Sequence, residues 1–283
     1  MSKGVAFFGS STAGPPPPPA PPLDSYSSDL IYAFARERLL TSWTGALYRV
    51  RRDSDNTEQD ITPAADGTDT ASLTAFVGSA SGYVTVWYDQ SGAGLDLAQA
   101  TTTKQPQVVN AGTVLPNFVP DNVDDFMQSS GNVGSLSAGA TCYYVGVPAP
   151  NDGTPTPVIF GFGGTRYLLC AYSSPASRIL PIVGSGNCTI NDNGRVDGAR
   201  CFQGNLAGAT ITDQILCRSG GVTNTNSSVG GSYSTSPLDA GPITYAAFTG
   251  GSTSFSPAQM RALVGYSVLH STTTIDAINS ALA

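Results

Sequence analysis

Residues 87–100, WYDQSGAGLDLAQA, place an acidic side chain among groups that often bind sugars. Asp89 stands between two aromatic residues, Trp87 and Tyr88, and a glycine-rich turn. A carboxyl group in such a place can act as a general acid, a general base or a nucleophile. The pattern is equally typical of a strand end, where an aspartate binds the amide groups of the following turn. The sequence favours this structural interpretation of Asp89, with one of the two aromatic rings entering the core.

A second acidic group lies in PNFVPDNVDDFMQ, where Asp121, Asp124 and Asp125 fall within five positions. This spacing favours an Asx-type turn between two strands. A calcium site is the alternative, because carboxylates and loop carbonyls are the ligands that Ca²⁺ prefers. No D-x-D-x-D-G loop occurs, so no residue is assigned as a metal ligand. The predicted carbohydrate-binding residues are therefore Trp87, Tyr88, Asp89, Asp124 and Asp125.

Other catalytic and metal-binding patterns find little support. His270 is the one histidine, and no G-x-S-x-G turn accompanies it, so a Ser–His–Asp triad is not indicated. No phosphate-binding glycine loop appears. The cysteines form no C-x-x-C pair, which argues against a zinc site, and one or two disulfides among them remain open. They are Cys142, Cys170, Cys188, Cys201 and Cys217.

Composition limits the kind of partner. Hydrophobic residues make up 40% of the 283 residues, and charged residues only 12%, about half the usual share. The net charge is −7, so a nucleic-acid partner is not expected. A cluster of Arg49, Arg51 and Arg52 is expected to form a solvated strand face or a set of salt bridges. No membrane span or signal peptide is indicated, so the chain is expected to stay in the cytoplasm until something carries it out.

The chain is expected to divide into an arm, residues 1–23, and a globular domain, residues 24–283. GPPPPPAPP in the arm predicts a stiff polyproline II segment that anchors the domain to a partner or a neighbouring copy. The residues predicted to make this anchor are Phe7, Phe8, Pro15, Pro16, Pro17, Pro18 and Pro19.

Four segments of the globular part are predicted to be helical. They are SSDLIYAFARERLL, DTASLTAFVG with Asp69 as its cap, SPAQMRALVGYSV with a capping box at Ser256, and TTTIDAINSALA. Short alternating or apolar runs separated by Gly, Asn, Ser and Pro predict many strands, and hence a β-sandwich. The strand candidates are TGALYRVRRDSDN, which runs into an Asp/Asn turn, YVTVWYDQ, QPQVVN, CYYVGV, PVIFGF, RYLLCAY, RILPIV, ATITDQIL and ITYAAF.

Two segments, LTSWTGALYRVRRDSDNTEQDI at 40–61 and VTVWYDQSGAGLDLAQATTTKQPQVV at 84–109, carry a specific resemblance. In this order they resemble the catalytic domain of the family 54 α-L-arabinofuranosidases, and equally the related domains of bacteriophage virion proteins. The segments 116–128 and 243–268 are similar to parts of laminin-G-like modules. The resemblance implies an all-β, concanavalin A-like jelly-roll sandwich with a few short peripheral helices and an extended N-terminal arm.

The chemistry of the arabinofuranosidases is the point of doubt. Retaining glycosidases use two carboxyl groups about 5 Å apart. In that family the nucleophile is a glutamate and the acid/base an aspartate, both well downstream of the YDQSG turn. This sequence has two glutamates, Glu37 and Glu58, and none from residue 59 to residue 283. The sequence alone therefore predicts that the chain is not an enzyme and needs no cofactor.

These observations lead to a non-enzymatic bacteriophage virion protein of tail-fibre or baseplate type. It is expected to attach to other virion proteins through its arm, to bind host-surface carbohydrate and to form a homo-oligomer such as a trimer. A capsid decoration protein, an arabinofuranosidase-like glycoside hydrolase and a secreted bacterial lectin are the alternatives. Location in the virion follows from the first interpretation.

Overall fold

The structure, a computed structural model, describes most of the globular part of the chain. The residues described are 21–148, 158–163, 167–173, 178–183, 186–191, 197–205, 215–223, 226–230, 238, 240–247, 255 and 258–283. The predicted anchoring residues Phe7, Phe8 and Pro15 to Pro19 lie outside them. The division into an arm and a globular domain therefore stays a prediction.

Strands dominate the described residues. The first ten are β1 Leu30–Ala35, β2 Tyr48–Arg52, β3 Glu58–Ile61, β4 Gly82–Trp87, β5 Leu97–Ala98, β6 Gln107–Asn110, β7 Thr113–Val119, β8 Met127–Val133, β9 Gly139–Val147 and β10 Val158–Gly163. The others are β11 Tyr167–Ser173, β12 Arg178–Val183, β13 Gly186–Asn191, β14 Gly198–Asn205, β15 Ile215–Ser219, β16 Val222–Thr223, β17 Asn226–Gly230, β18 Gly241–Tyr245 and β19 Gln259–Tyr266. Two α-helices, α1 Thr70–Val77 and α2 Thr272–Leu282, are described with them.

The strands pair antiparallel in two groups. One group runs in the order β1, β19, β9, β14, β15, β16. In the second group, β2 pairs with β3 and β4, β4 pairs with β5, and β5 pairs with β8. Strand β8 pairs with β18, and β18 pairs with β10. Strands β10, β11, β12 and β13 pair in this order, and β13 pairs with β17. Strand β7 pairs with β6 in this second group and meets the first group where Phe118 lies opposite Met260.

The main core lies between the two groups and is centred on Trp87. The Trp87 ring packs against Phe34, Phe118 and Tyr245, with ring centroids 5.6, 4.7 and 6.2 Å away. A second apolar cluster lies on the other face of the β1–β19–β9 group, where Ile278 of α2 packs. The chain is therefore an all-β sandwich, as the sequence predicts.

Two of the predicted helices are strands instead, and both predictions are wrong for the same reason. SSDLIYAFARERLL contains β1, and SPAQMRALVGYSV contains β19. Each strand is buried on both faces, so its apolar residues run consecutively rather than alternating. In β1, Phe34 contributes to the main core while Ala33 and Ala35 contribute to the second cluster. Such a run is indistinguishable from a buried helix by periodicity alone.

The other two predicted helices are confirmed as α1 and α2. Ser271 caps α2, since its Oγ accepts a hydrogen bond from the Thr274 amide at 3.2 Å. Eight of the nine predicted strands are confirmed, among them TGALYRVRRDSDN, which contains β2, and most of ATITDQIL lies outside the described residues. Among the described residues, none of the helices is both long and apolar enough to cross a membrane.

Candidate functional site

Asp89 is a structural residue at the end of β4. It is 2% exposed, and its Oδ1 accepts hydrogen bonds from the amides of Ala33 at 2.9 Å and Ser91 at 3.0 Å. Its Oδ2 accepts from the Ser91 hydroxyl at 2.8 Å and the Leu95 amide at 3.2 Å. The prediction that Asp89 ends a strand and binds the following turn is confirmed. With its oxygens used internally, Asp89 offers nothing to a sugar in this structure.

The two aromatic neighbours of Asp89 point to opposite faces, as predicted. Trp87 is fully buried and donates from Nε1 to the Ala35 carbonyl at 3.2 Å, so it too is closed to a ligand. Tyr88 is partly buried and donates to Asp60 Oδ1 at 2.7 Å. Burial first, then the hydrogen bond to Asp60, raises the pKa of Tyr88 to about 12. A carbohydrate-binding role for Tyr88 remains a prediction.

Gln90 completes the motif by holding the chain segment that follows β1. Its Nε2 donates to the Glu37 carbonyl at 2.8 Å, and its Oε1 accepts from the Leu39 amide at 2.8 Å. Its own amide donates to the Ala33 carbonyl at 2.8 Å. The WYDQ stretch thus binds residues 33–39 at several points and fixes their path.

Asp121, Asp124 and Asp125 form the predicted turn. Asp121 Oδ1 accepts from the amides of Val123 at 2.8 Å and Asp124 at 3.2 Å, which confirms the Asx-type turn. Oxygens of the three carboxyl groups lie within 4.8 Å of one another. Burial first, then the charge of Asp121, raises the pKa of Asp125 to about 7. Calcium binding at this turn, and sugar binding by Asp124 and Asp125, remain predictions.

The acidic turn borders a cleft of about 530 Å³ that also reaches Arg51 and Tyr83. Arg51 lies over the Tyr83 ring, 5.0 Å from its centroid, and donates to Gln105 Oε1 at 2.8 Å. The other two arginines of the cluster form salt bridges, as predicted: Arg49 with Asp60 and Arg52 with Asp55.

A different cavity carries the charged residues best placed for chemistry. Its volume is about 470 Å³, and we call it the Glu37 cavity. Polar lining comes from Arg36 and Glu37, which directly follow β1, from Asp69 at the start of α1, and from Arg261 of β19. An apolar wall comes from Val114, Leu115, Pro116, Ala281 and Leu282. Five segments remote in sequence therefore build one concave surface.

Asp69 is the anchored carboxylate of this cavity. It is 5% exposed, and its Oδ2 accepts from Arg36 Nε at 2.7 Å and from the Tyr48 hydroxyl. Burial first, then the charge of Asp69, raises the pKa of Tyr48 well above its usual range, so Tyr48 stays protonated and donates. The other oxygen of Asp69, Oδ1, accepts one longer hydrogen bond, 3.3 Å, from Thr70 Oγ1. The carboxylate is thus held through one oxygen, while the other is less committed.

The predicted capping role of Asp69 is only positional. Asp69 occupies the cap position of α1, but its side chain makes no capping hydrogen bond to the helix amides. The carboxylate turns instead toward Arg36, whose Nη1 also donates to the Leu115 carbonyl. A residue type that ordinarily stabilises a helix start is therefore used here for a buried ion pair.

Glu37 is the second carboxyl of the cavity and is held differently. Glu37 is an exposed residue, and within the described part of the chain its carboxyl group makes no hydrogen bond or ion pair. Partial desolvation by the cavity wall raises the pKa of Glu37; the charge of Arg261 opposes this rise, and that of Asp69 adds to it. Arg261 is itself engaged with Asp197 at 2.5 Å and with the Ala283 carbonyl at 3.0 Å. An uncommitted carboxyl group with a raised pKa suits proton transfer.

Sequence reasoning missed this cavity. Glu37 and Asp69 are 32 positions apart, and no motif joins them. The available signal was the scarcity of glutamate, because Glu37 is one of only two in the chain. His270, for which no triad was predicted, has structural contacts: its Nδ1 lies 2.7 Å from the Tyr143 hydroxyl and its ring packs on Tyr266. Three cysteines are buried thiols outside any disulfide, namely Cys142, Cys201 and Cys217.

Comparison with known proteins points to one class of enzyme. The family described as "Alpha-L-arabinofuranosidase B, catalytic" matches residues 25–115. Alpha-L-arabinofuranosidase B of Emericella nidulans is 42% identical over 87 residues, 29% of this chain and 17% of that protein. A probable alpha-L-arabinofuranosidase B of Aspergillus terreus is 28% identical over 200 residues, 69% of this chain and 34% of that protein. The chain thus spans a minor part of the curated relatives it matches.

Two solved structures of similar fold are arabinofuranosidases. A GH54 α-L-arabinofuranosidase soaked with a cyclic sulfate inhibitor superposes with a TM-score of 0.67 at 18% identity, covering 92% of this chain and 65% of that one. An arabinofuranosidase complexed with arabinofuranosyl-α-1,2-xylobiose gives 0.66 at 17% identity, covering 92% and 64%. At this level of identity the likeness establishes the shared β-sandwich.

These findings overturn the virion interpretation. The matching proteins are fungal arabinofuranosidases, so the expectations of a bacteriophage structural protein, a tail-fibre or decoration role and a virion location are wrong. The prediction that the chain is not an enzyme rested on the missing downstream glutamate, and the match to a catalytic family and to arabinofuranosidase relatives contradicts it. Partners, oligomeric state and cofactors stay predictions.

Proposed function

We propose that this protein is a glycoside hydrolase that removes α-L-arabinofuranosyl groups from glycans. The observation that carries the proposal is the match of residues 25–115 to the arabinofuranosidase catalytic family. That segment contains Arg36, Glu37, Tyr48 and Asp69, the residues that place two carboxyl groups at one cavity. Hydrolysis of a glycoside needs such a pair, one group to protonate the leaving oxygen and one to support attack at the anomeric carbon.

The cavity also suits a single sugar residue in size and character. Its volume of about 470 Å³ falls within the range typical of small-ligand sites. The apolar wall around Val114 and Leu115 can pack against the carbon face of a furanose ring, while the polar wall supplies charged groups. A compact, one-sided cavity favours removal of a terminal residue over cleavage within a long polymer.

The direct test is hydrolysis of 4-nitrophenyl α-L-arabinofuranoside by the purified chain. We expect release of 4-nitrophenol that follows the protein through gel filtration. The 4-nitrophenyl α-L-arabinopyranoside and β-D-xylopyranoside serve as controls for ring size and sugar identity, and both should react much more slowly. An unrelated protein purified in parallel from the same host controls for contaminating enzyme.

Arabinose release from arabinofuranosyl-α-1,2-xylobiose should accompany the aryl activity, because a true glycosidase does not depend on an activated leaving group. Failure of the pure, folded chain to hydrolyse either furanoside would contradict the proposed function.

A further inference from the structure

The cleft that reaches Arg51 and Tyr83, which we call the Arg51 cleft, shares no lining residue with the Glu37 cavity. Its volume of about 530 Å³ is similar. We propose that the Arg51 cleft is a second, non-catalytic site that binds a short stretch of neutral oligosaccharide, the backbone of the glycan substrate. The choice of that backbone rests on the proposed function, whereas the site itself rests on the geometry of the cleft.

The floor of the Arg51 cleft is a row of side chains that crosses four neighbouring strands. Arg51 of β2 pairs with Tyr83 of β4, and Tyr83 pairs with Gln107 of β6. Gln107 in turn pairs with Val119 of β7, and all four residues line the cleft. Residues paired in this way point to the same face of a sheet. With strands about 4.8 Å apart, the row is about 14 Å long, which suits several linked sugar residues better than one.

Arg51 forms a fixed, positively charged end of this row. It is 7% exposed, and its Nη1 donates to Asn56 Oδ1 at 3.0 Å and its Nη2 to the Thr102 carbonyl at 3.2 Å. With the bond from Nε to Gln105, all three acceptors are neutral. These bonds use three of the N–H groups of the guanidinium, which has five in all, so two are left for the oxygen atoms of a ligand.

Tyr83 and Gln107 supply polar groups that the fold leaves unused. Both residues are partly exposed. Among the residues that the structure describes, neither the Tyr83 hydroxyl nor the side-chain amide of Gln107 makes a hydrogen bond. The Tyr83 ring is nevertheless held in place, because Arg51 lies over it, 5.0 Å from its centroid. A hydroxyl and an amide can each donate and accept, which matches the hydroxyl groups of a sugar.

The charges of the cleft favour a neutral ligand. Asp53, Asp121 and Asp125 also line it, so an anionic ligand such as a uronic acid would be repelled. Arg51 in the floor disfavours a cation at the same place. A neutral polyhydroxyl ligand suits both kinds of group, since its hydroxyls donate to carboxylate oxygens and accept from the guanidinium.

A second sugar site changes how the chain acts on a polymer. A glycan held in the Arg51 cleft keeps its arabinofuranosyl groups at a high effective concentration near the chain. A small aryl glycoside cannot occupy two sites at once, so it gains nothing from the cleft. The site should therefore affect KM on a polymer and leave hydrolysis of the aryl substrate unchanged.

The first test removes the two unused polar groups in the variant Tyr83→Phe/Gln107→Ala. Isothermal titration calorimetry with xylohexaose, a neutral backbone without arabinose, measures binding. We expect Kd to rise about tenfold, as for the loss of two hydrogen bonds. Tyr26→Phe/Gln59→Ala is the matched control, because these residues do not line the cleft, and its Kd should match that of the unchanged chain. Far-UV circular dichroism should show that both variants fold.

A blocking variant tests the cleft without removing any polar contact of its floor. Thr103 is an exposed residue that lines the cleft, so Thr103→Trp should fill it and abolish xylohexaose binding. Thr101→Trp places the same ring at an exposed residue of the same segment that does not line the cleft, and it should bind normally. On soluble arabinoxylan, Thr103→Trp should raise KM several-fold with kcat unchanged. All variants should hydrolyse 4-nitrophenyl α-L-arabinofuranoside at the rate of the unchanged chain.

The outcomes separate this inference from the proposed function. Absence of xylohexaose binding, or equal binding by Thr103→Trp and Thr101→Trp, would overturn the second site and leave the hydrolase proposal intact. Equally tight binding of hexagalacturonate would overturn the assignment of a neutral ligand. A chain that binds xylohexaose in the cleft but hydrolyses neither furanoside would contradict the proposed function alone.

Discussion

At the scale of single residues, Asp89 shows how a carboxylate can be indispensable without touching a ligand. Its four hydrogen bonds join the end of β4 to the turn that follows and to the backbone of β1. The donors at Ala33 and Leu95 are backbone amides of buried residues. A buried donor left without an acceptor costs about 1–3 kcal/mol.

Asp89→Ala should therefore lower the free energy of unfolding by about 3 kcal/mol or more, because two buried amides lose their acceptor. Urea denaturation followed by fluorescence measures the change. Asp66→Ala is the control: Asp66 also accepts hydrogen bonds, from Thr68, but it is exposed and water can replace it. An equal loss of unfolding free energy in the two variants would show that the hydrogen bonds of Asp89 contribute no more to stability than those of an exposed aspartate.

Asp125 predicts a pH dependence of stability. Its pKa is raised from 3.8 to about 7 in the folded chain, so folding favours the protonated form. The resulting stabilisation is fully present below pH 3.8 and is lost as pH rises toward 7, at most about 4 kcal/mol in all. Asp125→Asn, which stays neutral, should lack this loss.

The measurement is the free energy of unfolding at pH 5 and pH 8 for both chains, since their other titrating groups are the same. Asp66→Asn controls for removal of an acid, because the pKa of Asp66 is lowered and its titration falls below this window. Parallel pH curves for Asp125→Asn and the unchanged chain would refute the prediction.

At the scale of elements, β19 is the strand that joins distant parts of the chain. It lies between β1 and β9, and its Gly265 pairs with Tyr32 on one side and Cys142 on the other. A Cβ at Gly265 would lie 2.3 Å from the Tyr32 ring. This close approach explains why a glycine stands in the middle of a buried strand.

Gly265→Ala should destabilise the fold by about 1–3 kcal/mol, the usual cost of overpacking. Thermal or urea unfolding measures it. Gly198→Ala is the matched control, since no heavy atom lies within 4 Å of a Cβ built at that strand residue. If Gly265→Ala and Gly198→Ala have equal free energies of unfolding, the close approach of Tyr32 to Gly265 does not explain the glycine.

At the scale of the whole molecule, the two apolar clusters share strands. Tyr144 of β9 contributes to the main core while Tyr143 contributes to the second cluster, and β1 divides its residues in the same way. Loss of packing in either cluster therefore exposes one face of the same central strands. The described fold should therefore unfold as a unit.

We expect Leu73→Ala in the main core and Ile278→Ala in the second cluster each to lower stability by about 2–5 kcal/mol. Each variant should still show one transition, with coincident curves from tryptophan fluorescence and far-UV circular dichroism. Two separated transitions in Ile278→Ala would mean that α2 and its cluster form an independent unit.

Local sequence determined what depends on near neighbours. The turns at Asp89 and Asp121, the cap of α2 at Ser271, and most strands were predictable because the partners lie within a few residues. The all-β class followed from the number of short strands and turns. The resemblance of the RVRR and YDQSG segments also pointed to the enzyme family. The missing downstream glutamate, however, led to the wrong prediction of a non-enzymatic protein.

Tertiary structure decided what depends on burial and on distance. Whether an apolar run such as β1 or β19 forms a helix or a strand is settled by pairing with strands far along the chain, since burial on both faces erases the alternation. The Glu37 cavity likewise depends on residues that are distant in the sequence. Glu37 and Asp69 lie 32 residues apart, and only the packing of β1, α1, β7 and β19 brings their carboxyl groups to one surface.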